Sequence, residues 1–308
     1  MSAAQASSSA RGTWVAVAAF VTWGLAPLYW HLLEQVPSLQ IVLHRVVWSA
    51  VFVSGYLFWR DGRQWIRKTL SGQPKLWWML GLSGLLISCN WGLYIWAVNA
   101  GHVVETALGY FINPLLNVVI GVLFLRERLR VGQWLSVAIA FVGVLWLTVQ
   151  YGKFPWIALA LAVSFGVYGV LRKLAHVDSV SGLGIESAYL FPLALIWLLW
   201  IELNGGGGFA HGFGATDSFL LILSGILTAL PLVGFAYAVR RISLTTVGLL
   251  QYIAPTLQFL IGVFVFHEAF DKTRLIGFIC IWLALLVFIV EGLLNGRRMR
   301  EADLAELA

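Results

Sequence analysis

The amino-acid sequence predicts an all-α membrane protein with about ten transmembrane helices. Hydrophobic residues make up 60% of the 308 residues and charged residues only 11%, whereas a soluble domain carries about 25% charged residues. Apolar runs of about 20 residues, the length that a helix needs to cross a bilayer, recur along the chain. Sixteen Trp and nine Tyr residues fit a protein with two membrane interfaces. Much of the apolar surface of this protein must therefore contact membrane lipid rather than water.

The predicted spans follow from these apolar runs. They lie at residues 12–32, 39–59, 76–99, 103–125, 131–150, 154–171, 183–203, 217–239, 243–266 and 274–294. The fifth and sixth are separated only by a turn near Gly152 and Lys153. Residues 1–11 are small and polar, and we expect them to be disordered. Residues 295–308 form a C-terminal tail.

The basic residues predict the orientation. If the N-terminus is cytoplasmic, sixteen of the twenty Lys and Arg residues fall in cytoplasmic segments and three fall in external ones, while Arg45 lies inside a span. Cytoplasmic loops of membrane proteins carry such an excess of positive charge. We therefore expect both termini in the cytoplasm and the chain in the inner membrane. Short basic loops between apolar runs also argue against nucleic-acid binding.

The chain contains an internal repeat. Residues 83–127 align without a gap with residues 224–268, with 13 identities in 45 positions. The identities include Pro114 with Pro255 and Glu127 with Glu268. We infer two five-helix halves, residues 12–150 and residues 151–294. Because five is odd, the second half enters the membrane from the opposite face, and inverted repeats of this kind build secondary transporters with a site near the midplane.

The motifs of other function classes are missing from the sequence. There is no phosphate-binding G-x-x-x-x-G-K-[ST] loop, which argues against a nucleotide site and ATP-driven pumping. His267-Glu268 begins like the zinc motif H-E-x-x-H, but Asp271 stands where the second His is needed. We expect no cofactor, no metal and no enzymatic activity. The partners that we expect are the lipid bilayer and a small-molecule solute.

Ionisable residues within spans are expensive to bury and usually face a cavity or a polar partner. His44 and Arg45 lie near the external end of the second span, and Glu105 lies at a similar depth in the fourth. An ion pair between Arg45 and Glu105 is feasible; the two groups then either only neutralise each other or serve transport. Glu186 is the repeat counterpart of His44. It is a coupling candidate that takes up a proton, or else simply a partner for Arg172 or Lys173.

The fourth and ninth spans carry matched polar groups. A helix-interior proline frees a carbonyl, so Pro114 and Pro255 predict helix breaks beside the pathway. The further pathway candidates are Asn90, Tyr94, Tyr110, Asn113, Asn117, Gln251, Tyr252 and Gln258. Tyr110, Asn113 and Asn117 share one helix face. The alternative for the amides is hydrogen bonding between helices, and the alternative for the aromatic residues, including Trp23, Trp91 and Tyr168, is packing.

Several motifs resemble one transporter family. They are His44–Ser49, Asn90–Trp91, Ile95–Asn99, Leu108–Leu115, Arg126–Arg128 and Gln251–Thr256. With them the chain, from about Arg11 to Arg298, resembles the drug/metabolite transporter superfamily, in its EamA-type branch and the RarD-like group. The resemblance implies a 5+5 basket of helices and the efflux or exchange of small solutes. We expect a secondary transporter that works by alternating access. The alternative is a membrane sensor or regulator that uses the same basket without net transport.

Overall fold

The computed structural model describes residues 3–71, 73–100, 102–209, 212–267 and 272–306. Within these ranges the regular structure is entirely helical. The helices are α1 (Ala3–His31), α2 (Ser38–Asp61), α3 (Trp65–Leu70), α4 (Pro74–Asn99), α5 (Val103–Leu123), α6 (Val131–Tyr151), α7 (Trp156–Leu174), α8 (Ser179–Leu203), α9 (Gly214–Val239), α10 (Leu244–Gln251), α11 (Ile253–Phe264) and α12 (Lys272–Glu306).

Ten segments in the described ranges are long and apolar enough to cross a membrane. They lie in α1, α2, α4 to α9, α10 joined with α11, and α12. Each apolar segment coincides with a predicted span to within about five residues at its ends, although α1 and α12 themselves extend farther. The prediction of an all-α polytopic protein is confirmed. The N-terminal segment differs from expectation, because α1 begins at Ala3 and residues 3–11 are helical. Residues 1 and 2 lie outside the described residues.

The two predicted proline breaks have different outcomes. The ninth span is divided at Tyr252, with α10 ending at Gln251 and α11 beginning at Ile253. Pro255 has no N–H to donate to the carbonyl of Gln251, four residues earlier, so the helix loses a bond at this junction. In contrast, α5 runs without interruption through Pro114. The predicted break at Pro114 is therefore wrong.

The sequence did not reveal α3, a single turn and a half of helix in the loop after α2. Its buried side chains are Trp65 and Leu70. A Cβ atom at Gly184 of α8 would lie 3.1 Å from the Trp65 ring, so the glycine allows the indole to pack closely. Six residues, two of them the basic Arg67 and Lys68, are too few to show a helical period.

The helices pack in pairs that correspond between the two halves. α5 packs against α7 as α10 and α11 pack against α1, and α4 contacts α7 as α9 contacts α1. The pairs α2 with α8, α5 with α10 and α6 with α12 join equivalent helices of the two halves. This is the pairing expected of two halves related by a two-fold axis. The 5+5 repeat and the inverted orientation of its halves both stay predictions.

Equivalent turns follow the fourth and ninth spans. Arg126 has a φ of 55° and His267 a φ of 53°, both in the left-handed region that non-glycine residues rarely adopt. Just before them, the N–H of Leu125 donates to the carbonyl of Ile120 and the N–H of Phe266 donates to that of Ile261. These six positions form three pairs at the shift of the repeat, 120 with 261, 125 with 266 and 126 with 267. The next match, Glu127 with Glu268, cannot be extended, because residues 268–271 lie outside the described residues.

The two ends of the bundle differ in packing. Where α2 ends and α10 begins, apolar side chains fill the space between the helices, among them Leu57, Trp65, Ile242 and Leu244. We call this region the closed end. A cavity opens the bundle toward the other end, where α1 ends and α2 begins. Candidate site residues are therefore concentrated on one side of the midplane.

Candidate functional site

A cavity of about 410 Å³ lies between α1, α2, α4, α5, α7, α9, α10 and α11. The residues of α1 and α4 that line it come from the second half of each helix, and those of α2 and α5 from the first half. These are the halves farther from the closed end. Eight of the sequence-predicted site residues line it: Arg45, Asn90, Tyr94, Tyr110, Asn113, Gln251, Pro255 and Gln258. The structure thus brings residues from both halves of the chain to one space.

Arg45 is the single charged side chain among the lining residues of this cavity. Its Nε donates to the Thr228 hydroxyl at 2.9 Å. The guanidinium carbon lies 4.7 Å from the centre of the Trp30 ring and 5.3 Å from that of Trp91. Such contacts with aromatic faces stabilise a cation that water does not surround. The arrangement holds a positive charge at the cavity wall.

Tyr94 and Tyr110 stand beside this charge. Their rings meet edge to face with centres 6.1 Å apart. Both tyrosines line the same cavity as Arg45. A phenol can donate or accept a hydrogen bond, so this part of the wall presents a guanidinium and hydroxyl groups together.

The amide residues divide between wall and scaffold. Asn90 Nδ2 donates to the carbonyl of Leu161 and to the Ser164 hydroxyl, both at 2.8 Å, which fixes α4 to α7. Gln258 Nε2 donates to the carbonyl of Trp23 at 3.2 Å. Asn113 lines the cavity, and its buried Oδ1 has no hydrogen-bond partner in the described part of the chain.

Aromatic rings from α1 and α7 form an apolar part of the wall. Trp23 packs edge to face on Phe165 at 6.2 Å and contacts Phe20 at 5.8 Å. Trp23 and Trp91 line the cavity as the sequence suggested, whereas Tyr168 does not and packs in the core. The cavity therefore suits a solute with a flat or apolar body.

The predicted ion pair between Arg45 and Glu105 is wrong. The Glu105 carboxylate accepts hydrogen bonds from the Tyr151 hydroxyl and from the backbone N–H of Ile157, both at 2.8 Å. Ile157 is in the first turn of α7, where N–H groups have no helical partner and favour negative charge. Glu105 thus links α5 to the first turn of α7, and these hydrogen bonds, rather than Arg45, satisfy its buried carboxylate.

Five other candidates lie outside the cavity lining: Pro114, His44, Asn117, Tyr252 and Glu186. His44 is buried and its Nδ1 accepts from Trp48 Nε1 at 3.2 Å. Asn117 Nδ2 donates to Gln251 Oε1 at 2.9 Å, which joins α5 to α10. Tyr252 donates to the carbonyl of Phe111 at 3.1 Å. Asn117 and Tyr252 thus bond between helices, whereas the His44 bond lies within α2 and its Nε2 has no hydrogen-bond partner among the described residues.

Glu186 lies in a buried polar cluster below the cavity. Its Oε1 is 3.4 Å from Arg172 Nη1, and each side chain is 1% exposed. The Ser83 hydroxyl donates to the same oxygen, while Oε2 has no hydrogen-bond partner among the described residues. A small second cavity borders Glu186 and shares Trp91 with the main one. The expected alternative partner Arg172 is present.

The closed end is held by carboxylates. Glu127 accepts from the N–H groups of Leu244 and Thr245 at 2.6 and 2.9 Å, from the Thr245 hydroxyl at 2.9 Å, and lies 3.6 Å from Lys173 Nζ. The repeat aligned this residue, but its role was not predicted.

Asp178 caps α8 at the same end. Burial by itself raises the pKa of Asp178, but hydrogen bonds from Ser181 and Arg60 outweigh it and hold that pKa below its ordinary value.

Sequence reasoning missed two residues that define the Arg45 environment. Thr228 lies in α9, and its repeat counterpart is Ile87, so no polar match marked it. Trp30 lies at the end of a span, where interfacial tryptophan is common. Only their distances to Arg45 distinguish them from other residues of the same type.

Comparison with known proteins gives concordant matches. The model of the EamA-like transporter family matches residues 10–149 and residues 154–290. The chain is 46% identical to Protein RarD of Streptomyces exfoliatus over 92% of this chain and 89% of the relative. It is 41% identical to Protein RarD of Escherichia coli (strain K12), over 95% and 98%, and 44% identical to an uncharacterized transporter of Bacillus subtilis (strain 168), over 92% and 95%.

A solved crystal structure is similar in fold. It has a TM-score of 0.67 and covers 90% of this chain and 96% of its own. At 20% sequence identity, this likeness speaks for the fold alone.

Proposed function

Because this chain belongs to the EamA-like transporter family, we propose that it is a secondary transporter that exports or exchanges a small organic solute by alternating access. The chain is a multi-pass membrane protein and a transporter. The energy source, direction and mechanism belong to the proposal. So do the placement in the inner membrane and the cytoplasmic location of both termini.

The observation that carries the proposal is the asymmetry of the bundle. A cavity of about 410 Å³ is open toward one end, and packed apolar side chains fill the other. Pockets for small organic molecules typically measure about 300–1,000 Å³. Alternating access requires a site near the middle that communicates with one side at a time. With the predicted orientation, the cavity faces outward.

Corresponding helix pairs and equivalent turns in the two halves support the mechanism. An inverted repeat lets the two halves exchange conformations, so that a seal at one end in one state becomes a seal at the other end in the second state. In the proposed inverted topology, the left-handed turns at Arg126 and His267 lie at opposite ends of the bundle.

Glu186 is the proposed coupling residue. It is buried beside a small cavity next to the solute pathway, and one of its oxygens has no hydrogen-bond partner among the described residues. Protonation would remove the charge that pairs with Arg172. A proton at this position therefore changes the interaction between α7 and α8.

Reconstitution in liposomes tests transport. Purified protein should exchange labelled solutes from a panel of organic anions, cations and neutral compounds without ATP. Ala26 lines the cavity and Ala138 is exposed on α6, so Ala26→Trp should block exchange and Ala138→Trp should preserve it. Strict dependence on ATP would contradict the proposal. Solute binding without flux across the whole panel would favour the sensor alternative.

Reporter fusions test orientation. A fusion at Arg67 should report the cytoplasm and a fusion at Asn204 the outside. Reports from the same side would contradict the inverted ten-span topology.

Glu186→Gln tests coupling. Exchange of solute for solute should persist, because it needs no net proton movement, whereas uptake driven by a pH gradient should fall to background. Undiminished pH-driven uptake would exclude Glu186 as the coupling group.

A further inference from the structure

The charge balance of the cavity gives information about the solute. Among its lining residues, which come from eight helices, Arg45 carries the single formal charge. The described residues place no carboxylate within 4.0 Å of its guanidinium, and Glu105, the partner that the sequence suggested, is bonded to Tyr151 and Ile157 instead. The cavity therefore has a net positive wall that the protein itself does not neutralise.

The guanidinium is positioned rather than loose. Thr228 fixes Nε, and the rings of Trp30 and Trp91 lie near the cation. The terminal nitrogens Nη1 and Nη2 donate to no described residue, and the side chain keeps partial exposure at the cavity wall. An Arg held in this way can bind a carboxylate through two parallel hydrogen bonds.

The neighbouring groups extend the same chemistry. Tyr94 and Tyr110 line the same cavity as Arg45, and their phenols supply hydroxyl donors for a further anionic oxygen. Farther along the wall, Phe20, Trp23 and Phe165 form an aromatic surface. Because one cation balances one negative charge, a monoanion fits better than a phosphate dianion.

We propose that the solute is a monocarboxylate with an aromatic or flat apolar body, whose carboxylate binds Arg45 and the adjacent tyrosine hydroxyls. This inference rests on the proposed transport function and names the solute class for that cavity. The carboxylate replaces the hydration that the guanidinium loses in the membrane, where an isolated charge is costly. The aromatic body occupies the wall formed by α1 and α7.

Binding of a matched series to the purified full chain tests the solute class. Benzoate, phenylacetate and 3-phenylpropionate are compared with 3-phenylpropanamide and with 3-phenylpropylamine, by titration calorimetry in detergent. The best carboxylate should bind at least tenfold more tightly than the amide or the amine. Equal affinity for the amide, preference for the amine, or no binding of any of the three carboxylates would overturn the proposal.

Variants of Arg45 test the binding residue. Arg45→Gln should weaken carboxylate binding at least tenfold, and Arg45→Lys should retain part of it because the charge remains. Arg241→Gln is the matched control, since Arg241 also lies over an aromatic ring, at 3.4 Å from Tyr237, but outside the cavity. Undiminished binding by folded Arg45→Gln would overturn the proposal. If Arg45→Gln does not fold, the Arg45→Lys affinity and the ligand series decide the question.

Flux measurements separate this inference from the function on which it rests. Exchange of neutral or cationic solutes that is insensitive to Arg45→Gln leaves the transporter in place and excludes the carboxylate class. Absence of flux for every solute contradicts the transport function, whatever the calorimetry reports.

Discussion

Removal of the Glu127 carboxylate should open the closed end of the bundle. Glu127 joins the loop after α5 to the first turn of α10 through three hydrogen bonds, from Leu244 N–H and from the N–H and hydroxyl of Thr245. Lys173 adds an ion pair at 3.6 Å. Glu127→Ala removes all four interactions and leaves the N–H groups of α10 without this acceptor.

The magnitude follows from the type and the exposure of these bonds. Hydrogen bonds to charged groups contribute about 1.5–3 kcal/mol each, but the Glu127 side chain is 13% exposed and water replaces part of what is lost. We therefore expect a net loss of about 2–3 kcal/mol, in the range of a strong helix cap plus a partly screened ion pair. Since 1.4 kcal/mol corresponds to a tenfold change, the ratio of open to closed molecules rises about 30- to 140-fold. An open population of about 1% would become about 20–60%.

Cysteine accessibility measures this change. Cys89 and Cys280 are the two native cysteines, and a Cys89→Ser, Cys280→Ala background allows a single reporter, Ala238→Cys. Ala238 is fully buried in the core of the closed end. An impermeant maleimide applied from that side should label the reporter at least tenfold faster in Glu127→Ala.

The control for this experiment is Glu34→Ala, because Glu34 is an exposed carboxylate at the opposite end. It should leave the labelling rate unchanged. A lower melting temperature of Glu127→Ala with a labelling rate within twofold of the parent would refute the role of Glu127 in keeping the closed end shut, and would make it only a helix cap.

Two further predictions concern packing inside the bundle. Arg172→Gln and Glu186→Gln each leave a buried charge without its partner, so each should lower the free energy of unfolding by about 3–5 kcal/mol. The double variant should lose less than the sum of the two single losses. Additive losses would contradict a direct ion pair. Gly248→Leu should lower stability by about 1–3 kcal/mol through overpacking, because a Cβ at Gly248 would meet the Pro114 carbonyl oxygen at 2.5 Å. Gly92→Leu is its control, since nothing lies within 4 Å there; equal melting temperatures would show that α5 and α10 tolerate separation.

The spans could be predicted because the membrane imposes a local rule. Every helix that crosses lipid needs about 20 apolar residues, and its backbone hydrogen bonds are made within the segment. The identities between residues 83–127 and 224–268 are likewise visible in the sequence, whereas the division into two five-helix halves stays a prediction. The sequence did not predict α3, because this helix lies in a loop, has only two buried side chains and is too short to show a helical periodicity of hydrophobic residues.

The site could be predicted only in part. A polar residue in a membrane span needs a polar partner or a cavity. Arg45, Tyr110 and Gln251 were selected for this reason, and all three line the cavity. The sequence does not say which partner it finds. Arg45 and Glu105 have opposite charge and similar depth, yet Glu105 caps α7.

The sequence by itself determined the ten apolar segments that the described residues contain and the choice of polar candidates. Those properties follow from composition and from positions along one segment. The tertiary structure alone decided that Arg45 meets Thr228 and two tryptophans, that Glu186 meets Arg172, and that Glu127 closes one end. Partners across a bundle depend on helix rotation and spacing, and these are set by packing between segments that are distant in the chain.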